Sequence, residues 1–278
     1  MRHVIIPALA AAALAALPAA SMAENSTTIG TGAKTCVLGP GSECSGVVHR
    51  WGVEHHGNLR GAKFRGAVLH GSDFRGANLR NADFRGAILR HADFRDADLR
   101  GAKFHHLRSA GKAQNDGPSC GTKCSGANLN RANLSGANMS YTNFTNASLN
   151  QANLSGATLK GANFLDASLI MANLDNASAS MAKFTQVTAN GSMDGADLSY
   201  TDFSSATLDG ASITKANLGW TDLSGTTLVG TLLTNSTITN AKLYSTNFDK
   251  ANLKGVTFTG SVWNHVTCPN GSVTETGC

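Results

Sequence analysis

A repeat of five residues runs through most of this sequence. In "FRGANLRNADFRGAILRHADFRDADLRGAKF", residues 74–104, a small residue is followed by a polar residue, Leu or Phe, usually Arg, and often Gly. An α-helix turns about 100° per residue, so every fifth residue wanders around the helix and forms no face. A flat strand would place successive Leu and Phe residues on opposite sides. The chain must therefore turn a corner once per repeat.

Each repeat predicts one side of a coil. The small residue and the large apolar residue lie two apart and share one side of a short extended segment, while the polar residues point outward. Gly or another turn-tolerant residue then forms the corner. The core residues alternate Leu and Phe from Leu59 to Phe104, and residues 66–84 resemble residues 86–104. Four repeats per turn explain both patterns, so we expect a square coil that stacks Leu59 on Leu79 and Phe64 on Phe84.

The pattern A-(N/D)-(L/F)-x-x, repeated more than thirty times, resembles the pentapeptide-repeat family along almost the whole chain outside the termini and one insert. This resemblance implies an all-β fold, the right-handed quadrilateral β-helix. Counting about thirty-six core positions at four per coil predicts about nine coils. The resemblance implies no single activity, because the fold hosts several roles.

Departures from the repeat divide the chain into segments. From Phe184 to Met193 there are nine residues where ten would keep the period, which predicts a bulge or shifted corner at about residues 185–192. Leu129 follows Phe104 by 25 residues, a whole number of repeats, so the insert between them is either a loop at one corner or an irregular coil. We predict a signal peptide at 1–23, an N-terminal cap at 24–56, a first array at 57–106, an insert loop at 107–123, second and third arrays at 124–263 and a C-terminal cap at 264–278.

The first residues indicate export. A short polar start, an apolar Ala/Leu run and Ser21-Met22-Ala23 are typical of a cleaved signal peptide, so we expect a mature chain that begins near Glu24, in the periplasm or outside the cell. We predict no transmembrane segment in the mature chain.

The six cysteines form three locally spaced pairs, which favours disulfides in an oxidising compartment. Six cysteines allow about fifteen connectivities, and a metal site is the competing interpretation. No pair has the two-residue spacing of a zinc knuckle, so we predict no metal and no cofactor. The disulfide candidates are Cys36 with Cys44, Cys120 with Cys124, and Cys268 with Cys278.

Positive charge is concentrated in the first array, where residues 58–108 contain eleven Lys and Arg against five Asp. In one interpretation the arginines cover the sheet and pair with neighbouring Asp73, Asp83, Asp93 and Asp98. In the other they bind an anionic polymer or acidic protein, since the guanidinium fork suits carboxylate and phosphate groups. Eight arginines occupy the repeat position directly after the core residue, namely Arg60, Arg65, Arg75, Arg80, Arg85, Arg90, Arg95 and Arg100.

No catalytic motif was found among the repeats, and stacked Asp residues follow automatically from the period. We therefore predict a non-catalytic structural or protein-interaction module. The alternative is binding of an anionic envelope component through the Arg-rich array, with the oligomeric state left open and no specific nucleic acid expected. A DNA mimic that modulates topoisomerases, a role that the family resemblance brings in, fits poorly because the computed pI is about 9.0. A carbohydrate-active enzyme fits poorly as well.

Overall fold

The coil has four sides. The computed structural model describes residues 28–31, 34–50, 57–89, 92–104 and 123–278. Short extended segments pair in parallel with the next coil twenty residues later, as Asn58 does with Asn78, and the Leu59 amide donates a 2.8 Å hydrogen bond to the Asn78 carbonyl. A corner every five residues and a pairing step of twenty confirm the predicted square cross-section.

Most of these segments are too short to count as strands, because only one or two residues per side form ladder contacts. An antiparallel hairpin, β1 (Thr28–Thr31) and β2 (Lys34–Val37), precedes the coils. Two parallel pairs follow, β3 (Val48–Arg50) with β4 (Val68–His70) and β5 (Lys242–Tyr244) with β6 (Val262–Asn264). A second antiparallel hairpin, β7 (Val266–Thr267) and β8 (Val273–Thr274), ends the chain. Within the described ranges, no helix is long and apolar enough to cross a membrane.

The corners are four-residue turns with a left-handed residue. At the corner that follows Leu59, the Ala62 amide donates to the Leu59 carbonyl at 3.1 Å, and Gly61 has a φ of 71°. Positive φ at the third turn position is what a type II turn requires, and glycine meets it without a steric penalty. The same left-handed position recurs two residues after core residues along the arrays, and in the part of the chain that the structure describes twenty of the residues with positive φ are not glycine.

Ala, Leu and Phe fill the interior. Phe64, Phe84 and Phe104 stack in one column with ring centroids 4.9 and 5.1 Å apart, as the Leu/Phe alternation predicts. A second column, on the face that contains Phe74, continues through Phe144, Phe164, Phe184 and Phe203 at 4.8 Å spacing. These rings are fully buried, so each coil is stabilised mainly by burial of apolar surface against its neighbours.

Two irregularities change the pairing step without ending the ladder. The step rises from twenty residues, between Asp83 and Lys103, to thirty between Asp93 and Lys123, so the coil that includes the insert has ten extra residues. Later it falls to nineteen, between Asn173 and Ser192. The shifted corner expected near residues 185–192 is therefore a corner shortened by one residue, at Asn190 and Gly191.

Two of the three predicted disulfides are confirmed. Cys36 bonds to Cys44 beside the first coil, and Cys268 bonds to Cys278 across the C-terminal hairpin. Cys120 lies outside the described residues, and Cys124 is buried in the core. The predicted signal peptide and most of the insert also lie outside the described residues.

Candidate functional site

The described members of the predicted arginine set lie on three faces of the coil, and Arg90 lies outside the described residues. Each arginine directly follows a core residue. Its side chain therefore points outward, on the same side as that of the residue that directly precedes the core residue. Arg60, Arg80 and Arg100 follow the Leu59 column, Arg65 and Arg85 follow the Phe64 column, and Arg75 and Arg95 follow the Phe74 column.

Most of these arginines fold back onto an Asp of the same repeat. Arg95 donates from Nε to Asp93 Oδ1 at 2.9 Å and from Nη2 to Asp93 Oδ2 at 2.7 Å, a two-bond fork. The Arg95 amide also donates to Asp93 Oδ1 at 3.2 Å, which orients the carboxylate. The same arrangement joins Asp73 to Arg75, Asp83 to Arg85 and Asp98 to Arg100.

Asp83 is the most enclosed of these carboxylates. Its side chain is 7% exposed and accepts hydrogen bonds from Arg85 and from Arg65 of the preceding coil. Burial alone would raise the pKa of Asp83, but the hydrogen bonds from Arg85 and Arg65 outweigh it and hold the pKa well below its ordinary value. The pKa of Asp93 and that of Asp98 are lowered by the same kind of hydrogen bond, from Arg95 and Arg100.

Arg60 and Arg80 differ from the others because their repeats have Asn58 and Asn78 where the others have Asp. Neither arginine forms an ion pair with any residue of the described ranges. Arg80 borders an open groove of about 440 Å³ along the corner that follows the Leu59 column. The groove is lined by Arg80, Asn81, Arg100, Gly101, Asn130, Arg131, Asn150 and Gln151, and it therefore presents mainly hydrogen-bond donors and amides.

A second surface, which we call the aromatic corner, consists of Tyr141, Met181, Tyr200 and Trp220. Each lies two residues after a core residue of one column, at the corner between the Leu69 and Phe74 faces. All four are more than half exposed. The rings of Tyr200 and Trp220 are stacked, with centroids 6.1 Å apart and planes 6° apart. Large apolar side chains thus line one edge of the rod.

The backbone at the aromatic corner is unfavourable for these residues. Tyr141, Met181, Tyr200 and Trp220 have φ values of 59°, 61°, 59° and 63°. Non-glycine residues cost about 1–2 kcal/mol in this left-handed conformation, and bulky residues are seldom found there. Such strain is found most often at functional sites. Gly161 occupies the corner between Tyr141 and Met181, and a side chain there would lie 2.6 Å from the Tyr141 ring.

A slot of about 480 Å³ adjoins the aromatic corner. Its walls include the rings of Tyr200 and Trp220 and, on the Phe74 face, the side chains of Asp202, Asp222 and Lys242. Lys242 donates to Asp222 at 3.1 Å, and this bond with those from Ser224 lowers the pKa of Asp222 although burial raises it. The next two corner residues, Asn240 and Gly260, are small, so the slot extends over two coils.

The aromatic corner was missed in the sequence because its spacing is irregular. Met181 and Tyr200 are nineteen residues apart, whereas Tyr200 and Trp220 are twenty apart. The signal that could have revealed it is a large side chain at the repeat position that usually has Gly.

No group of three or more His, Cys, Asp or Glu residues within the described part of the chain is arranged to hold a metal ion.

Comparisons with known proteins agree with the repeat pattern. A family model described as pentapeptide repeats matches in eight copies, over residues 56–81, 77–108, 120–151, 152–188, 192–230 and 222–260, which is more than half of the chain. No curated protein matches significantly.

Several solved structures are similar to this chain. One is HetL, a pentapeptide repeat protein involved in heterocyst differentiation regulation from the cyanobacterium Nostoc sp. strain PCC 7120, with 27% identity, coverage of 79% of this chain and 92% of that chain, and a TM-score of 0.27. Another is QnrB1, a plasmid-mediated fluoroquinolone resistance protein, with 19% identity, coverage of 76% and 93%, and a TM-score of 0.33. A pentapeptide repeat protein of the Arabidopsis thaliana thylakoid lumen has 31% identity, coverage of 48% and 68%, and a TM-score of 0.19.

Proposed function

This chain belongs to the pentapeptide-repeat family, whose members fold as right-handed quadrilateral β-helices, and we propose that it is an exported, non-catalytic structural and binding module. The aromatic corner is the observation that carries this proposal. Glycine meets this backbone without a steric penalty, so Tyr and Trp there cost stability, while their exposure and the stacking of Tyr200 on Trp220 present aromatic rings at the surface. Trp and Tyr are also the residues most enriched among those that dominate binding energy.

The cysteine bonds support export. Disulfides form and persist in secreted and periplasmic proteins and are rare in the cytosol. The bonds Cys36–Cys44 and Cys268–Cys278 tie down the two ends of the described coil, where backbone groups lack a further coil to pair with. The apolar leader at residues 1–23 is consistent with the same route.

The carboxylates support a non-catalytic role. The carboxyl pKa is lowered from its ordinary value at Asp83, Asp93, Asp98, Asp194 and Asp222. A general acid at neutral pH needs a raised pKa. These groups instead act as hydrogen-bond acceptors for neighbouring side chains.

A capture experiment tests the binding role. The mature chain is immobilised and exposed to an envelope extract beside a triple variant, Tyr141→Gly, Tyr200→Gly and Trp220→Gly, which restores the preferred residue at each corner. The matched control is Asn146→Gly, Met171→Gly and Gln186→Gly, which changes three left-handed residues on other corners. We expect to find a component that the wild type and the control retain. Its retention by the corner variant should be at least tenfold lower. Equal retention by all three proteins would contradict the proposal.

Binding of an anionic polymer is the second candidate, because Arg60 and Arg80 form no ion pair within the described residues and Arg80 borders the 440 Å³ groove. Replacing both with Gln should lower the salt concentration that elutes the protein from heparin. Lys160→Gln with Lys254→Gln makes the same change in net charge outside the first array. An equal shift in both variants would show a response to net charge only and would reject the groove.

A further inference from the structure

The Trp220 ring stacks on Tyr200 on one side and adjoins the slot on the other. Side chains at this corner reach toward the following coil, as the Tyr141 ring does over Gly161. Trp220 is 57% exposed, and Tyr200 is its only aromatic neighbour among the described residues. Because Asn240 and Gly260 occupy the next two corners, no ring follows Trp220, and the 480 Å³ slot begins there. A ligand with a flat apolar face could therefore lie in the slot against Trp220.

The rim of the slot has donors and acceptors side by side. Asp222 Oδ1 accepts from the Ser224 amide at 3.1 Å and from its hydroxyl at 2.6 Å, and Asp222 Oδ2 accepts from Lys242 at 3.1 Å. A carboxylate can accept about four hydrogen bonds and an ammonium group can donate three. Asp222 thus retains acceptor capacity and Lys242 retains donor capacity. This combination suits hydroxyl groups, which both donate and accept.

The charge of the rim disfavours other ligands. The rim contains Asp202, Asp222 and Lys242, so its formal charge is about −1. This charge would repel the phosphate or sulfate groups of a polyanion. A purely apolar protein segment would bury Asp222 and Lys242 away from water without replacing their hydrogen bonds. A sugar ring avoids both problems, because one face presents C–H groups and its edge presents hydroxyl groups.

We propose that the slot beside Trp220 binds a sugar unit of a neutral polysaccharide or oligosaccharide. The ring lies on the indole of Trp220, and its hydroxyl groups bond to Asp202, Asp222 and Lys242. Tyr141 and Met181 continue the apolar edge along the rod, so further sugar units can follow the same corner. This inference rests on the binding role proposed above and specifies the chemical class of the ligand.

Native affinity electrophoresis tests the assignment with defined probes. The mature chain is run in gels that contain hydroxyethyl cellulose, laminarin, xyloglucan or galactomannan, and in gels that contain heparin or alginate. We expect retardation by at least one neutral polysaccharide and loss of at least tenfold in apparent affinity with Trp220→Gly. Lys242→Gln should weaken binding about three- to tenfold, since it replaces the charged ammonium donor by a shorter neutral amide but keeps the Trp220 ring.

The control variant is Met171→Gly, which removes an equally exposed residue with a φ of 56° from a different corner and should leave retardation unchanged. Thermal unfolding by circular dichroism verifies that Trp220→Gly is folded, as expected for glycine at a φ of 63°. Lack of retardation in all four neutral gels would overturn the sugar assignment, as would full retention of affinity by Trp220→Gly.

The two proposals fail in different ways. If the corner variant loses a captured protein while neutral gels have no effect, the binding role stands and the sugar class is wrong. If retardation occurs only in heparin or alginate and persists in Trp220→Gly, the sugar class is again wrong and the arginine groove is favoured. If nothing captured depends on the aromatic corner, the binding role itself fails.

Discussion

At the residue scale, Gly191 shows how closely neighbouring coils approach. It lies in the corner that is one residue short, at the inward position that usually has Ala. A Cβ at Gly191 would lie 1.9 Å from the Ala172 carbonyl oxygen and 2.7 Å from the Ala172 amide nitrogen. Both are backbone atoms of the preceding coil, and the Ser192 amide donates to the same carbonyl at 3.0 Å. Neither can move without breaking the ladder.

Gly191→Ala should therefore lower the free energy of unfolding by at least about 3 kcal/mol, because overpacking against backbone cannot be relieved by a rotamer change. Urea unfolding of the mature chain measures the loss. Gly39→Ala is the control, since a Cβ at Gly39 meets nothing within 4 Å, and it should be nearly neutral. A variant at Gly191 as stable as the wild type would show that the corner can widen.

The Asp83 carboxylate gives stability a defined dependence on pH. Its pKa is lower in the folded protein than the unfolded value of about 3.9, so its contribution is present above that value and is lost as the pH falls below it. Asp83→Asn should destabilise the protein by about 1–3 kcal/mol at pH 7, and the difference from the wild type should shrink below about pH 4. Unfolding at several pH values measures this. The exposed corner variant Asp166→Asn should follow the wild type throughout, and a parallel offset for Asp83→Asn would contradict the mechanism.

At the scale of the coil and its caps, the C-terminal hairpin follows the last turn and pairs with the preceding coil through Asn247 and Thr267. Leu253, Phe258 and Trp263 of the last turn are only partly buried, whereas equivalent core residues of earlier coils are fully buried. The Cys268–Cys278 bond closes the hairpin. The last coil should therefore depend on the hairpin more than the interior coils do, because each coil contacts only its neighbours.

Replacing Cys268 and Cys278 with Ser should destabilise the cap by about 3 kcal/mol, the loop-closure entropy expected for a loop of this length. Hydrogen exchange should show lost amide protection in residues 243–263, while the amides of residues 62–89 keep theirs. Uniform loss of protection along the rod would mean that the coils unfold as one unit and that the cap acts globally.

The repeat period predicts the core but not the outer contacts. Leu59, Phe64 and Ala62 could be assigned to the interior because a corner after every fifth residue places them on the inner side of their extended segments. Whether Arg75 extends into solvent or folds onto Asp73 depends on side-chain rotamers, about which the period says nothing. The alignment of Met181 with Tyr200 depends on the shortened corner at Gly191, and only pairing of the coils reveals it.

At the scale of the whole molecule, the two candidate surfaces differ in charge and position. The arginine groove extends from Arg80 to Gln151, and the slot beside Trp220 begins at Tyr200, among carboxylates and Lys242. A rigid solenoid keeps such surfaces apart, because each coil is held by hydrogen bonds to the next. We therefore expect the two proposed sites to bind their ligands independently.

The proposed export concerns the whole chain and can be tested directly. Expression of the full sequence in a bacterium should yield a periplasmic or secreted protein whose N-terminal sequence begins near Glu24. Alkylation without reductant should leave Cys36, Cys44, Cys268 and Cys278 unlabelled, because they are in disulfides. A full-length product that stays in the cytosol with its leader attached would reject export.

The thirty-residue pairing step has a consequence for engineering. Asp98 pairs with Asn128 and Lys103 pairs with Asn133, so the segment after Phe104 adds length while the coils on either side keep their phase. The length of chain between paired segments can therefore be altered by design, because the ladder continues across steps of thirty, twenty and nineteen residues. A redesigned solenoid with unequal coil lengths needs only to keep the backbone pairing on either side of the change.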